Sequence, residues 1–195
     1  MPAPVRTGRR VILRHPVASD RAEFVALRRS SRAHLAPWEP RPPAGFDPWG
    51  DDAFDRLLAT CTTATDMRLL VVERGTGRLA GLISISGIVR GPLQSAYVGY
   101  WIGSTFAGRR LMTEALALAV RHAFRKLRLH RVEANIQPRN SPSKRLVRRL
   151  GFRREGFSPR YLKIAGRWAD HERWALTLED FTRPRRDSSK KSPPR

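Results

Sequence analysis

The stretch that decides the fold is Ser104-Thr-Phe-Ala-Gly-Arg-Arg-Leu-Met-Thr-Glu-Ala-Leu116. It follows an apolar run, Ala96–Ile102, that is typical of a β-strand, and it opens a long amphipathic helix. The first backbone N–H groups of a helix lack partners within the helix, and the helix dipole favours negative charge there. Arg109 and Arg110 add positive charge at the same turn. The pattern predicts a phosphate-binding strand–turn–helix, although a turn with solvated arginines would have the same sequence.

A second strand, loop and helix follow the first. Arg131–Gln137 alternates polar and apolar residues as a half-buried strand does. Ser141 and Pro142 fit an N-cap and a first helical position, and Gly151 fits the stop. This β-α-β-α order predicts an α/β sandwich with a mixed sheet.

The rest of the chain is divided by the same periodicity arguments. Gly75-Thr-Gly77 predicts a hairpin turn between two strands, and the prolines of Pro37–Pro43 exclude a helix there. The predicted strands are Val11–His15, Arg68–Glu73, Arg78–Ser86, Ser95–Gly103 and His171–Leu178, and the predicted helices are Asp20–His34, Asp51–Thr62 and Thr113–Leu127.

Taken in order, these motifs resemble the GCN5-related N-acetyltransferases (GNAT), which transfer an acetyl group from acetyl-coenzyme A to an amine. The resemblance is closer to the ribosomal-protein-alanine N-acetyltransferases and extends to about Asp180. The motifs that carry it are Trp38–Pro40, Ile88–Gly91, Tyr97–Gly103, Phe106–Gly108, Leu111–Ala115, His130–Arg131, Asn140–Ser143, Leu150–Gly156 and Gly166–His171.

The resemblance implies a mostly antiparallel mixed sheet that is splayed between two central strands, Ser95–Gly103 and Arg131–Gln137, and flanked by helices. The acetyl-CoA co-substrate would lie in the opening. The residues implied to bind it are Tyr100, Trp101, Ile102, Gly108, Arg109, Arg110, Leu111, Met112, Thr113, Asn135, Asn140 and Ser143. One position departs from the family loop, because Arg110 stands where a second glycine or an alanine is usual, and this predicts a steric cost.

The catalytic groups implied by the resemblance are Ser143, as the acid that protonates the leaving thiolate, and the backbone N–H near Ile102, as the donor to the developing oxyanion. Helix capping is the competing explanation for Asn140 and Ser143. The residues expected to contact the acceptor are Trp38, Glu39, Tyr97 and Tyr161.

No residue matches the general-base positions of the family, where Arg160, Tyr97 and Val98 stand. The remaining candidate carboxylates, Glu39, Glu114, Asp170 and Glu172, have structural explanations, and Glu39 fits a substrate contact better than a base. An α-amino group, with a pKa near 7.7–8.0, is partly neutral at pH 7, whereas a lysine side chain is not. The chemistry therefore favours an N-terminal amine as the acceptor.

Composition bounds the class of protein. The 195 residues suit one domain, expected over residues 1–181, with a disordered basic tail over 182–195. The net charge of +21 is concentrated between Thr105 and Arg154, which hold fourteen basic and two acidic residues. Coenzyme A occupies only a few arginines, so ribosome or RNA contact is expected as well, with a solvated basic surface as the alternative.

A single cysteine, Cys61, and the lack of an apolar run of about 18 residues favour a cytoplasmic protein without a membrane span, and no metal-binding spacing is present. The leading hypothesis is an acetyl-CoA-dependent N-acetyltransferase of a protein N-terminus, such as that of a ribosomal protein, as a monomer or dimer. The alternatives are an acetyltransferase of a small amine and a ribosome- or RNA-binding protein that has lost catalysis.

Overall fold

An eight-stranded sheet lies at the centre of residues 2–183, the part of the chain that the computed structural model describes. Its strands are β1 (Pro4–Thr7), β2 (Val11–Arg14), β3 (Met67–Glu73), β4 (Leu79–Val89), β5 (Ser95–Ile102), β6 (Arg131–Ile136), β7 (Arg153–Ile164) and β8 (Arg167–Thr177). The order is β1-β2-β3-β4-β5-β6-β8-β7, and each neighbouring pair is antiparallel except β5–β6. This confirms the predicted mixed, mostly antiparallel sheet.

Helices cover both faces of the sheet. They are α1 (Arg21–Ser30), α2 (Arg32–Leu35), α3 (Asp51–Ala59), α4 (Leu111–Arg125), α5 (Ser141–Leu150) and α6 (Leu178–Thr182). Side chains of neighbouring strand residues point to opposite faces. Tyr100 contacts Ser143 of α5, whereas the Trp101 ring lies 5.9 Å from Phe24 of α1. Helices α1 and α5 therefore lie on opposite faces of the sheet.

Helix α4 packs its apolar stripe on the same face as α5, against β2, β3 and β4. Ala115, Leu116, Ala119 and Ala123 are fully buried, as the helical spacing of the sequence predicts. Burial of one large apolar side chain such as Leu116 contributes roughly 1.5–3 kcal/mol to folding. This packing fixes the N-terminal end of α4 relative to the sheet.

The sheet splits between β5 and β6. The two strands pair only at Ser95–Tyr97 with Arg131–Glu133. Beyond that point β5 stays paired with β4 as far as Ile102, and β6 stays paired with β8 as far as Ile136. The strands therefore diverge at the carboxyl end of β5, immediately before the turn that leads into α4.

Several elements differ from the sequence-based expectations. Strands β1 and β7 and helix α6 were not predicted, because β1 and α6 are only four and five residues long and contain no buried residue, and β7 exposes most of its side chains. The first helix ends at Ser30 and not near His34. Asp20 and Glu23, whose spacing predicts a capping box at the start of this helix, do not form one: the Asp20 carboxylate binds the buried Arg14 guanidinium at 2.6 Å, and Glu23 accepts the Leu79 backbone N–H at 2.8 Å.

The structure also corrects the predicted N-cap of α5. The N-cap is Asn140 and not Ser141, because the Asn140 side-chain oxygen accepts a hydrogen bond from the Ser143 backbone N–H at 3.2 Å. Gly151 ends the helix with φ +95°, as predicted.

Within residues 2–183, no helix has the length and hydrophobicity needed to cross a membrane. Thr182 still belongs to α6, and residues 184–195 lie outside the described residues. The predicted disordered tail, like the domain boundary at residue 181, stays a prediction.

Candidate active site

A cavity of about 890 Å³ opens where β5 and β6 diverge. It brings together residues from the turn before α4, the start of α5, the end of β5 and the segment after α2. The predicted site residues that line it are Trp38, Glu39, Tyr100, Trp101, Ile102, Gly108, Arg110, Leu111, Met112, Thr113, Asn140 and Ser143. Arg109, Asn135, Tyr97 and Tyr161 do not line it.

The N-terminus of α4 presents backbone donors to this cavity. The Glu114 N–H reaches the Arg110 carbonyl at 3.4 Å, so the N–H groups of Leu111, Met112 and Thr113 precede the first intrahelical bond. They point out of the helix end, where the dipole favours an anion. Arg110, at the N-cap of α4, lines the cavity as well.

The turn before α4 relies on two left-handed residues. Gly108 has φ +75°, and no heavy atom lies within 4 Å of the position that a Cβ would take, so conformation and not space favours glycine there. Arg110 has φ +60°, which is strained for a residue with a Cβ. The replacement of the expected small residue therefore carries a conformational cost.

Arg109 points away from the cavity. Its guanidinium forms an ion pair with Glu73, a buried carboxylate, and stacks 5.6 Å from the Phe106 ring. Its backbone carbonyl accepts from Arg10 at 3.0 Å. The Arg109 side chain therefore links the turn to β3, and only the Arg109 backbone stays near the N-terminus of α4.

The edge of β5 that faces the split is open. Gly103 donates its backbone N–H to Ala80 at 2.8 Å, and the Gly99 carbonyl accepts from Ser84 Oγ at 3.3 Å, so both residues face β4. Backbone polar groups alternate along an antiparallel strand. The backbone groups of Tyr100 and Ile102 therefore face the opening, where an extended chain can pair with them.

Ser143 and Tyr100 form a close hydroxyl pair in the wall of the cavity. The Tyr100 Oη and Ser143 Oγ lie 2.6 Å apart. Burial raises the pKa of the Tyr100 phenol to about 12, although the bond to Ser143 acts in the opposite direction. Both groups therefore stay protonated at neutral pH and are able to share a proton.

Glu39 is the only carboxylate among the described residues that line the cavity. Both of its oxygens accept from the Arg28 guanidinium, at 2.6 and 2.8 Å. Arg28 is buried between the Trp49 and Trp101 rings, 4.5 and 5.2 Å from their centroids. A carboxylate bound in this way is better suited to a structural role in the wall of the cavity than to accepting a proton as a base.

The other candidate bases are engaged elsewhere. Glu114 accepts the Arg10 backbone N–H at 2.9 Å, Asp170 accepts the Arg160 N–H at 2.7 Å, and Glu172 pairs with Lys144 at 3.3 Å. In residues 2–183, no group of three or more His, Cys, Asp or Glu side chains is arranged to hold a metal ion.

Asn135, Tyr97 and Tyr161 lie on the face of the sheet that carries α1. Asn135 is opposite Arg173 and Tyr97 is opposite Glu133, and cross-strand neighbours share a face. Burial raises the pKa of Tyr97, and the neighbouring Tyr161 and Glu133 add to the shift. Asn135 thus lies across the sheet from α5, and Tyr97 and Tyr161 lie beside the cavity and not in its lining.

Sequence reasoning missed part of the lining. Pro142, Arg145, Leu146 and Arg149 line the cavity and follow the spacing i, i+3, i+4, i+7 on α5. That periodicity could have identified them once Ser143 was placed near the site. His34, Leu35, Leu82 and Ser84 also line the cavity, and no local signal marks them because long-range packing brings them there.

Comparisons with known proteins agree with this geometry. The family model described as an acetyltransferase (GNAT) domain matches residues 10–153. The ribosomal protein uS5-alanine N-acetyltransferase of Escherichia coli (strain K12) is 43% identical over 104 residues, which are 53% of this chain and 54% of that protein. The chain spans about half the length of the curated relatives it matches.

Solved structures match over a larger share of the chain. Mycobacterium smegmatis RimJ in complex with CoA-disulfide superposes with a TM-score of 0.81 at 32% identity, covering 89% of this chain and 84% of that one. The ribosomal-protein-S5-alanine acetyltransferase from Vibrio fischeri superposes with a TM-score of 0.77 at 30% identity, covering 91% and 98%. From the split sheet, the open α4 N-terminus and these matches, the chain belongs to the GNAT family of acetyltransferases.

Proposed function

We propose that this chain is an acetyl-CoA-dependent N-acetyltransferase that modifies the N-terminal α-amino group of a protein, such as a ribosomal protein, in the cytoplasm. The observation that carries the proposal is the continuous path from the open edge of β5 to the N-terminus of α4, beside Ser143. Relatives with matching folds include a RimJ bound to CoA-disulfide and ribosomal-protein-alanine acetyltransferases.

The residues fit acetyl-CoA along this path. The N–H groups of Leu111–Thr113 and the side chain of Arg110 would hold the pyrophosphate, and the backbone of Tyr100 and Ile102 would pair with the extended pantetheine. When bound, acetyl-CoA supplies an activated acetyl group as a thioester. Cavity-lining Arg145 and Arg149 add positive charge on α5.

In the reaction, the acceptor nitrogen bonds to the acetyl carbon and the bond from that carbon to sulfur breaks. The backbone N–H of Ile102 would donate to the carbonyl oxygen, whose negative charge grows as the nitrogen attacks. Ser143 would donate a proton to the departing sulfur and recover one from water, directly or through the Tyr100 hydroxyl 2.6 Å away, while the proton that the attacking nitrogen loses passes to water.

The proton lost by the amine needs no strong protein base. About a tenth of an α-amino group with a pKa of 7.7–8.0 is already neutral at pH 7, whereas lysine is almost fully charged. The carboxylate that lines the cavity, Glu39, is bound by Arg28 and is therefore a weak base, so the site favours α-amines over lysine side chains. This supports a protein N-terminus as the acceptor.

The test is acetyl transfer measured as free thiol, with acetyl-CoA and a panel of N-terminal peptides, lysine peptides blocked at their N-termini, and small amines. We expect α-amino peptides to react fastest and Ser143→Ala to lose most of the activity. Preferred transfer to small amines would favour the alternative acceptor class. No transfer, together with no effect of acetyl-CoA on the melting temperature, would refute the enzyme proposal and favour a binding protein that has lost catalysis.

RNA or ribosome contact is a second proposal, based on charge. Arg121, Arg125 and Lys126 are exposed near the end of α4, and Arg145 and Arg148 are exposed on α5. Basic contacts to phosphates weaken steeply with salt through counterion release. Co-sedimentation with ribosomes across a salt series tests it, and binding that is absent even at low salt would refute it.

A further inference from the structure

Trp38 and Glu39, which line the cavity and are expected to contact the acceptor, belong to the segment Ala36–Arg41, here called the acceptor wall, which is held by three separate parts of the fold. From α1, Arg28 binds both carboxylate oxygens of Glu39. From the turn between β7 and β8, Ala165 donates its backbone N–H to the Glu39 carbonyl at 2.9 Å. The third contact comes from Arg139, in the loop between β6 and α5. Only Ala36–Trp38 of this segment is helical, as a single 3-10 turn, so the segment needs such contacts to hold one conformation.

Arg139 makes its contact through both the charge and the plane of its guanidinium. One terminal nitrogen donates to the Pro37 carbonyl at 3.2 Å, and the guanidinium carbon lies 5.1 Å from the centre of the Trp38 ring. Its Nε donates to the Oε1 of Gln137, a buried residue immediately after β6, at 3.2 Å. The Arg139 side chain is therefore fixed by Gln137 through its Nε, and its guanidinium holds Trp38 in place.

The position of Arg139 in the chain links the two halves of the site. The next residue, Asn140, accepts the Ser143 N–H and so fixes the start of α5. Trp38 lines the cavity, but Arg139 itself does not line it. The loop that places Ser143 thus also carries the group that holds the acceptor wall.

We propose that Arg139 is a positioning residue that acts through Trp38 and sets how well the acceptor binds, without contributing to acetyl-CoA binding. This inference rests on the proposed acetyltransferase function. Lysine cannot replace Arg139, because an ammonium lacks the planar fork that both donates to Pro37 and stacks on Trp38. Arg28 has a similar role but is buried, so its replacement would test folding as well as function.

The experiment compares Arg139→Gln and Arg139→Lys with Arg9→Gln, which removes an equal charge from an exposed position between β1 and β2. Loss of one hydrogen bond and one cation–π contact should raise KM for the acceptor peptide about five- to fifty-fold in Arg139→Gln. In the same variant, kcat should change less than about threefold and KM for acetyl-CoA should not change. Arg139→Lys should recover little, and Arg9→Gln should behave as wild type.

Two outcomes would overturn the proposal. An unchanged acceptor KM in Arg139→Gln would show that the wall does not need Arg139. An equal rise in KM for acetyl-CoA would show that Arg139 only supports the capped start of α5.

Hydrogen exchange gives a readout that does not depend on activity. Peptides covering 36–41 should exchange faster in Arg139→Gln than in wild type, while those covering α5 should not change. If the wild type transfers no acetyl group, the proposed function fails separately. Faster exchange confined to the wall would then still support the holding role of Arg139, and unchanged exchange would overturn it.

Discussion

Replacement of Arg110 by glycine should stabilise the protein and weaken acetyl-CoA binding at the same time. Arg110 has φ +60°, and this left-handed conformation costs a residue with a Cβ roughly 1–2 kcal/mol. Glycine removes that cost, although its freedom in the unfolded chain cancels about 0.4–1 kcal/mol of the gain. The expected net gain is about 0.5–1 kcal/mol, or about 1–4 °C in melting temperature for a chain of this size.

The affinity should change in the opposite direction. Arg110 lines the cavity at the N-terminus of α4, where a phosphate would bind. A hydrogen bond to a charged group contributes about 1.5–3 kcal/mol. Because Arg110 is exposed, we take the lower value, which corresponds to about a tenfold rise in the Kd of acetyl-CoA. Arg110→Ala is the matched control, since it removes the charge but keeps the Cβ.

Urea unfolding without ligand and calorimetric titration with acetyl-CoA measure the two effects. We expect Arg110→Gly to be more stable than Arg110→Ala and both variants to bind acetyl-CoA about equally weakly. A glycine variant no more stable than the alanine variant would refute the strain argument. Wild-type affinity in both variants would refute the phosphate contact.

Three further predictions concern catalysis, pH and the tail. Ser143→Ala should lower kcat about 10²–10⁴-fold. Because the two hydroxyls act as one pair, the double variant Ser143→Ala/Tyr100→Phe should lose little more kcat than Ser143→Ala alone, and additive losses in steady-state assays would contradict this. Burial lowers the pKa of His122 to about 4, so the folded state resists protonation that the unfolded state accepts below pH 6.5. Stability should therefore fall by about 3 kcal/mol between pH 6.5 and 4, and less in His122→Gln, as urea unfolding would show. Deletion of Pro184–Arg195 should leave the melting temperature and transfer to short peptides unchanged but weaken ribosome co-sedimentation at low salt; a lost fold would place the domain boundary elsewhere.

Strongly periodic segments were predictable from sequence. Helix α4 and strands β3 to β6 lie within a few residues of their predicted bounds, because each buries an apolar pattern of the right period. Strand β7 could not be found this way, since it lies at the edge of the sheet and exposes most of its side chains. Strand β1 at the other edge could not be found either, since its four residues are too few to show a period and none of them is buried.

The site was predictable where the chemistry is local in the chain. The turn at Gly108 and the start of α5 reach the cavity together, as the motifs indicated. The partners of the site residues were not predictable, because they come from far along the chain. The Glu39–Arg28 pair, the Tyr100–Ser143 bond and the Arg139–Trp38 contact depend on the fold that assembles them.

The split between β5 and β6 leaves unpaired strand backbone in the middle of a sheet, where such an edge invites pairing with another protein molecule. Here the exposed edges are the five residues Val98–Ile102 of β5 and the three residues Ala134–Ile136 of β6, since the two strands pair before these points and β5 ends before Gly103. Segments that aggregate through stacked strands have six or seven residues. The split is therefore long enough to bind an extended ligand and too short to template aggregation, so the ligand-free protein can keep it open in a crowded cell.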